Sequence, residues 1–163
     1  MRPRLTLRQV LPEDVPSFYA YQSDPQASEL AAVPARDRPA FDTHWGSIIA
    51  DETGTARTIL LDGEIAGYLL CFGSSEDRQV GYWIGRPYWG RGVATRALGL
   101  FLAEVRERPL HAHVAEHTAA SIRVLEKCGF TRCGELLVAP DGITELHLEL
   151  VTPRGRLANR AAA

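Results

Sequence analysis

Several things are scarce in this sequence, and each scarcity excludes something. The three cysteines, Cys71, Cys128 and Cys133, form no Cys-x-x-Cys pair and are odd in number, which fits a reducing compartment, read here as cytoplasmic, better than a disulfide framework. Neither sign of charge is in excess: 18 Lys and Arg face 20 Asp and Glu, for a net charge of -2. A general nucleic-acid binder would carry a basic surplus on one face, so nucleic acid is not an expected partner. No apolar run approaches the length of a membrane span, and the opening "MRPRLTLRQVLPED" lacks the continuous apolar stretch of a secretory signal. No membrane association is expected, and there is no internal repeat or low-complexity tract.

What remains is ordinary for a globular protein: 163 residues, 45% hydrophobic and 23% charged, enough to bury a core in one domain without staples. That domain is expected to span residues 1–153. The closing "RGRLANRAAA", residues 154–163, has no apolar periodicity and reads as a poorly ordered tail.

Periodicity supplies the elements. "RLTLRQV" alternates as a strand; Pro12, Glu13 and Asp14 open a helix with Phe18 and Tyr21 on one face, continuing to Pro25; "RDRPAFDTHWGSIIADE" is a second helix carrying Phe41, Trp45, Ile48 and Ile49. "ARTILLD" and "IAGYLLCF" flank an Asp-Gly corner as a hairpin, and "RQVGYWIG" adds a third strand. From Gly92 to Arg106 the period turns helical; "PLHAHVA" is a strand, "TAASIRVLEKCGF" a helix stopped by Gly129, and residues 131–138 and 143–151 are a last pair of strands. The order β-α-α-β-β-β-α-β-α-β-β predicts an α/β (α+β) fold, with about four helices on a mixed, mostly antiparallel twisted sheet of about seven strands.

The most informative stretch is "GRPYWGRGVATR", residues 85–96. A strand runs into a glycine-rich turn, and the helix that follows offers unpaired backbone N–H groups and the positive end of its dipole. Such a point is attractive to a phosphate, and glycine leaves room for one; glycines that merely reverse the chain are the alternative. A P-loop is excluded because the chain has no Gly-Lys pair, and the dinucleotide fingerprint starting at Gly90 meets Thr95 where its third glycine belongs.

Together with "HTAASIRVLEKCGF", residues 117–130, the stretch "YWGRGVATRAL" resembles the acyl-CoA-binding core of the GCN5-related N-acetyltransferase (GNAT) superfamily. Within it the chain looks like the branch that includes the ribosomal-protein N-terminal acetyltransferases. The resemblance implies acetyl-CoA as cosubstrate, no metal, a primary amine as acceptor and direct attack in a ternary complex. In that family a turn written Arg/Gln-x-x-Gly-x-Gly/Ala holds the pyrophosphate through backbone amides. The matching residues are Trp89, Gly90, Arg91, Gly92, Val93 and Ala94, with Thr95 next and Arg96 adding charge; Trp89 departs from the pattern. The strand before the turn is implied to splay from its neighbour, leaving backbone at Trp83 and Ile84 for the pantetheine arm. Thr118 and Ser121 match Asn-x-x-Ser at the next helix start, with Thr118 replacing the asparagine.

For chemistry, acetyl transfer needs a neutral amine, a polarised thioester and a proton for the departing thiolate. The resemblance points to Ser121 beside the thiolate. Where the branch often has a glutamate as base this chain has Gln79, leaving Glu145 on the last strand as a candidate, with Glu76 and Asp77 nearby. Phe18, Tyr21, His44 and Trp45 are candidates for the amine pocket, although a helical aromatic stripe also serves as core. His111 and His113 alternate on one strand, which on its own is a weak pattern for a metal. The cysteines are not needed as nucleophiles. A noncatalytic acyl-CoA-binding module is the competing reading, and a homodimer is common among relatives.

Overall fold

The computed structural model describes residues 1–31, 36–134, 137, 138, 140 and 142–151. The expected tail at 154–163, and residues 152 and 153 of the expected domain, lie outside them.

Strand β1 (Leu5–Gln9) pairs antiparallel with β2 (Thr55–Leu61), which turns at Asp62 and Gly63 into β3 (Glu64–Phe72), and β3 pairs antiparallel with β4 (Gln79–Ile84). Beyond β4 the sheet continues through β5 (Leu110–Ala115) to β8 (Thr144–Leu150), whose other edge carries the two-residue strands β6 (Thr131–Arg132) and β7 (Leu137–Val138). Among the described strands only the β4–β5 junction is parallel. The mixed, mostly antiparallel sheet expected from the sequence is therefore present, with one strand more than expected. The strand anticipated over residues 131–138 is replaced by β6 and β7, with Gly134 between them at φ 69°.

Among the described residues five α-helices cover the sheet: α1 (Val15–Gln22), α2 (Pro25–Ala31), α3 (Arg38–Ala50), α4 (Val93–Glu104) and α5 (Ala119–Lys127). The single helix expected after Pro12 is two. It stops at Gln22 and restarts at Pro25, which has no N–H to continue the ladder; the Asp24 carboxylate accepts from the Gln26 N–H at 3.1 Å and starts the new turn. Asp37 does the same for α3, accepting from the Ala40 N–H at 2.8 Å.

Two apolar layers result. On one face Leu98 and Phe101 of α4, Leu125 of α5 and Phe130 just after it are buried against Ile59, Leu69, Leu110 and Leu148. On the other, α1 to α3 bury Phe18, Phe41 and Trp45 against Tyr68 and Trp83. Among the described residues two charged side chains are buried, Asp14 and Arg78; Asp14, 2% exposed, accepts from Arg8 at 2.7 and 2.8 Å, from the Leu11 N–H at 2.9 Å and from the Thr58 hydroxyl at 2.7 Å. Asp14 ties the start of the helical layer to β1 and β2.

Candidate active site

The site begins where the sheet comes apart. β4 and β5 share a single register pair, Gln79 with His111, and one bond next to it, the His111 N–H to the Arg78 carbonyl at 2.8 Å. Past that point the two strands diverge. Gly85 N–H donates to the Ala66 carbonyl on the β3 side, so by the period-two alternation of a strand the backbone of Val80, Tyr82 and Ile84 faces the opening. The expected splay is present, but the residues facing it alternate. Ile84 is among them; Trp83 turns its backbone to Tyr68 on β3 and its ring to the α1–α3 layer.

The opening is a cleft of about 390 Å³. Its lining includes Trp83, Ile84, Trp89, Gly90, Gly92, Val93, Ala94, Thr95, Thr118 and Ser121, all expected from the sequence; Arg91 is exposed outside it, with its guanidinium 5.7 Å from the Tyr88 ring centroid. Tyr82, Tyr88, Arg123 and Lys127 line it as well; they fall within the quoted stretches, but none is among the expected site residues. Arg123 and Lys127 are four apart on α5, a helical spacing that was legible as one face.

The turn is held from below. Gly85 is obligatory, because a Cβ there would lie 2.7 Å from the Tyr21 ring. Gly92, the residue before α4, has φ 72°, a left-handed conformation that suits glycine. The first bond of α4 runs from the Arg96 N–H to the Gly92 carbonyl, and no side chain caps the helix. The N–H groups of Val93, Ala94 and Thr95 are thus unused by the helix at the cleft wall. A Cβ at Gly90 or Gly92 would meet nothing within 4 Å, so the space over the turn is open.

On the opposite wall, Ser121 and Tyr82 meet: the Tyr82 hydroxyl donates to the Ser121 carbonyl at 3.4 Å. Burial pushes the Tyr82 hydroxyl up to about 12, against a smaller lowering by Ser121, so it keeps its proton at neutral pH. Thr118, at the N-terminus of α5, spends its hydroxyl on the Leu30 carbonyl at 3.1 Å, and His117 Nε2 lies 3.0 Å from the same oxygen. The end of α2, with Ala27, Leu30 and Ala31, becomes a wall of the cleft in this way.

Other expected residues are placed elsewhere. Phe18 and Trp45 are 0% and 1% exposed in the α1–α3 core, so packing, not a pocket, claims them. Tyr21 donates to the Ile65 carbonyl at 2.6 Å and supports Gly85. His44 borders a second cavity. Glu145 lies on β8 opposite Ala115 and Leu137 and does not line the cleft; in the described lining there is no carboxylate at all. Arg96 donates to the Pro3 carbonyl at 2.9 Å instead of facing the turn. His111 and His113 gather around His147, with Nδ1 of His111 2.8 Å from Nε2 of His147 and the His113 ring stacked on it. Burial, then His113 and His111, lowers the His147 pKa. Among the described residues no group of three or more His, Cys, Asp or Glu is disposed to hold a metal ion, and no helix is long and apolar enough to cross a membrane. Cys71 and Cys128 are buried and Cys133 partly so, and burial pushes the Cys71 thiol up.

A family model described as an acetyltransferase (GNAT) domain matches residues 4–131. No curated protein matches the chain. Among solved structures, a spermidine N-acetyltransferase from Vibrio cholerae in complex with CoA and spermine superposes with a TM-score of 0.80 at 14% identity, over 91% of this chain and 95% of that one. The aminoglycoside acetyltransferase AAC(6')-Ib, in complex with ribostamycin and coenzyme A, gives 0.77 at 21%, over 95% and 99%. A ribosomal L7/L12 alpha-N-protein acetyltransferase in complex with coenzyme A gives 0.76 at 16%, over 91% and 94%. These structures act on different acceptors by their names and fit about equally well, so the likeness is one of fold and singles out no branch.

Proposed function

The chain belongs to the GNAT acetyltransferase family, and from that premise we propose that it moves an acetyl group from acetyl-CoA to a primary amine by direct attack in a ternary complex. The observation that carries this reading is the divergence of β4 from β5 after one register pair, with a glycine turn and three unused helix N–H groups at one end of the resulting cleft.

The residues fit acetyl-CoA. Backbone N–H groups of Val93, Ala94 and Thr95, with the open turn at Gly90 and Gly92, would hold the pyrophosphate, and Arg123 and Lys127 add positive charge along the same wall. The free backbone of Tyr82 would pair with the amides of the pantetheine arm. Acetyl-CoA supplies the activated thioester. The amine lone pair attacks its carbonyl carbon, the C–S bond breaks, and the thiolate takes a proton. Ser121 is the group we assign beside that thiolate, with its carbonyl held by the Tyr82 hydroxyl at 3.4 Å. With no carboxylate in the described lining, the amine loses its proton to water.

That same lack of a carboxylate, and Gln79 at the vertex of the splay, are the observations that favour a noncatalytic acyl-CoA-binding module. Calorimetry with acetyl-CoA, followed by thiol release with a panel of peptide N-termini and small amines, separates the two. The enzyme reading expects binding and turnover; binding with no turnover on any amine overturns it.

A further inference from the structure

A second cavity, of about 240 Å³, lies between α3 and the sheet. Ile48 of α3, Ala56 of β2 and Leu70 and Phe72 of β3 line it, with His44 and Asp51 at its polar edge. Ile48, Ala56 and Leu70 also pack against the α1–α3 core, which fixes the face.

Its position relative to the cleft is set by strand register. Leu70 pairs with Gly81, and Phe72 with Gln79. Trp83 points into the α1–α3 layer, so by alternation Gly81 and Gln79 share that face. Gly81 leaves the face bare: the one neighbour its Cβ would meet within 4 Å is the Phe72 ring, at 3.8 Å. Tyr82, the next residue, lines the cleft. One strand spacing, about 5 Å, therefore separates Leu70 and Phe72 from β4, whose free backbone edge faces the cleft on its far side.

We propose that this cavity seats the apolar body of the amine acceptor, an aryl or branched-alkyl group joined by a short chain to a primary amine that reaches over Gly81 to the thioester. The inference rests on the acetyl-transfer reading and adds the acceptor class to it. Size supports it: a cavity of about 150 Å³ takes benzene, so this one has room for a phenyl ring and a short linker. Polarity supports it too. Ile48, Ala56, Leu70 and Phe72 give it an apolar body; the charge at its edge is the Asp51 carboxylate, held below its ordinary pKa by the bonds from Thr53 at 2.9 and 2.6 Å, while burial and then Arg36 hold His44 below its own. The chemistry is shared by a small arylalkylamine and by a peptide whose first residue is large and apolar.

The test is a set of kcat/KM values with the whole chain and acetyl-CoA for 2-phenylethylamine, a Phe-initiated tripeptide, a Ser-initiated tripeptide, ethanolamine and spermidine. One or both aryl acceptors are expected to lead by about tenfold or more, and which of them leads identifies the source. Ala56→Leu, which fills the cavity, is expected to erase that lead without moving acetyl-CoA affinity. Ile48→Ala, which enlarges it, is expected to shift preference toward a bulkier aryl amine and carries the test if Ala56→Leu does not fold. Turnover led by spermidine or ethanolamine, or a lead that survives both variants, overturns the inference and leaves acetyl transfer standing. Absence of turnover with every amine overturns both.

Discussion

The Trp89 indole Nε1 donates to the Ile84 carbonyl across 2.8 Å. The first residue of the glycine turn thus returns to the last residue of β4 and braces the turn on the strand that forms the cleft. A side chain used this way cannot also reach a phosphate, so in the proposed function the pyrophosphate would be held by the backbone N–H groups at the start of α4. This is how a tryptophan fits where the family pattern has arginine or glutamine.

Gly92→Val probes that backbone. The Cβ would meet open space now but would occupy the volume over the turn, and a β-branched residue at φ 72° adds strain of order 1–2 kcal/mol. Acetyl-CoA affinity is expected to fall by more than about tenfold, while thermal melting shows only the smaller strain cost. Unchanged affinity by calorimetry would contradict the pyrophosphate assignment.

Ser121→Ala removes the hydroxyl assigned to the thiolate. A drop in kcat of about 10- to 100-fold is expected, with acetyl-CoA affinity kept within about threefold. A kcat that stays at the wild-type value would remove Ser121 as the source of the proton.

Thr118→Val deletes one of the two groups on the Leu30 carbonyl while keeping the side-chain shape. The contact fastens the end of α2 to α5, so amide hydrogen exchange in α2 is expected to quicken, and by more in a His117→Ala, Thr118→Val double variant. Exchange confined to its original rate would show that packing alone holds α2.

Asp14 sets an acid limit on the fold. Burial works to raise its pKa, but bonds from Arg8, the Leu11 N–H and Thr58 outweigh it, and the carboxyl is held below the ordinary value of 3.8. A depressed folded pKa gives stability that is present above the unfolded value and lost as pH falls through the folded one. Denaturant midpoints should decline below about pH 4. Asp14→Asn should cost about 2 kcal/mol at pH 7 and flatten that decline; an identical acid profile would remove Asp14 as its source.

Most elements were legible because their signals are local. The alternation of "RQVGYWIG", the three-to-four spacing after Gly92 and the Asp-Gly corner each depend on a few adjacent residues. The split between α1 and α2 was also written locally, in Asp24 and Pro25, but the aromatic face running through Phe18 and Tyr21 masked it. Ten of the expected cleft residues line the cleft because strand-turn-helix geometry brings neighbours in sequence to one wall. The acceptor side was not readable in this way. Phe18 and Trp45 have the composition of a pocket and the burial of a core, a difference that depends on what α1 and α3 face.

By itself, the sequence determined the turn, the helix that follows it and the absence of competing phosphate motifs, since a backbone cradle is built from residues a few positions apart. Tertiary structure decided what each side chain has left to offer. Thr118 is taken by Leu30, Arg96 by Pro3 and Trp89 by Ile84, partners 88, 93 and 5 residues away. Each donor is satisfied by a carbonyl that only folding brings into reach, and a hydrogen bond already made is not available to a ligand.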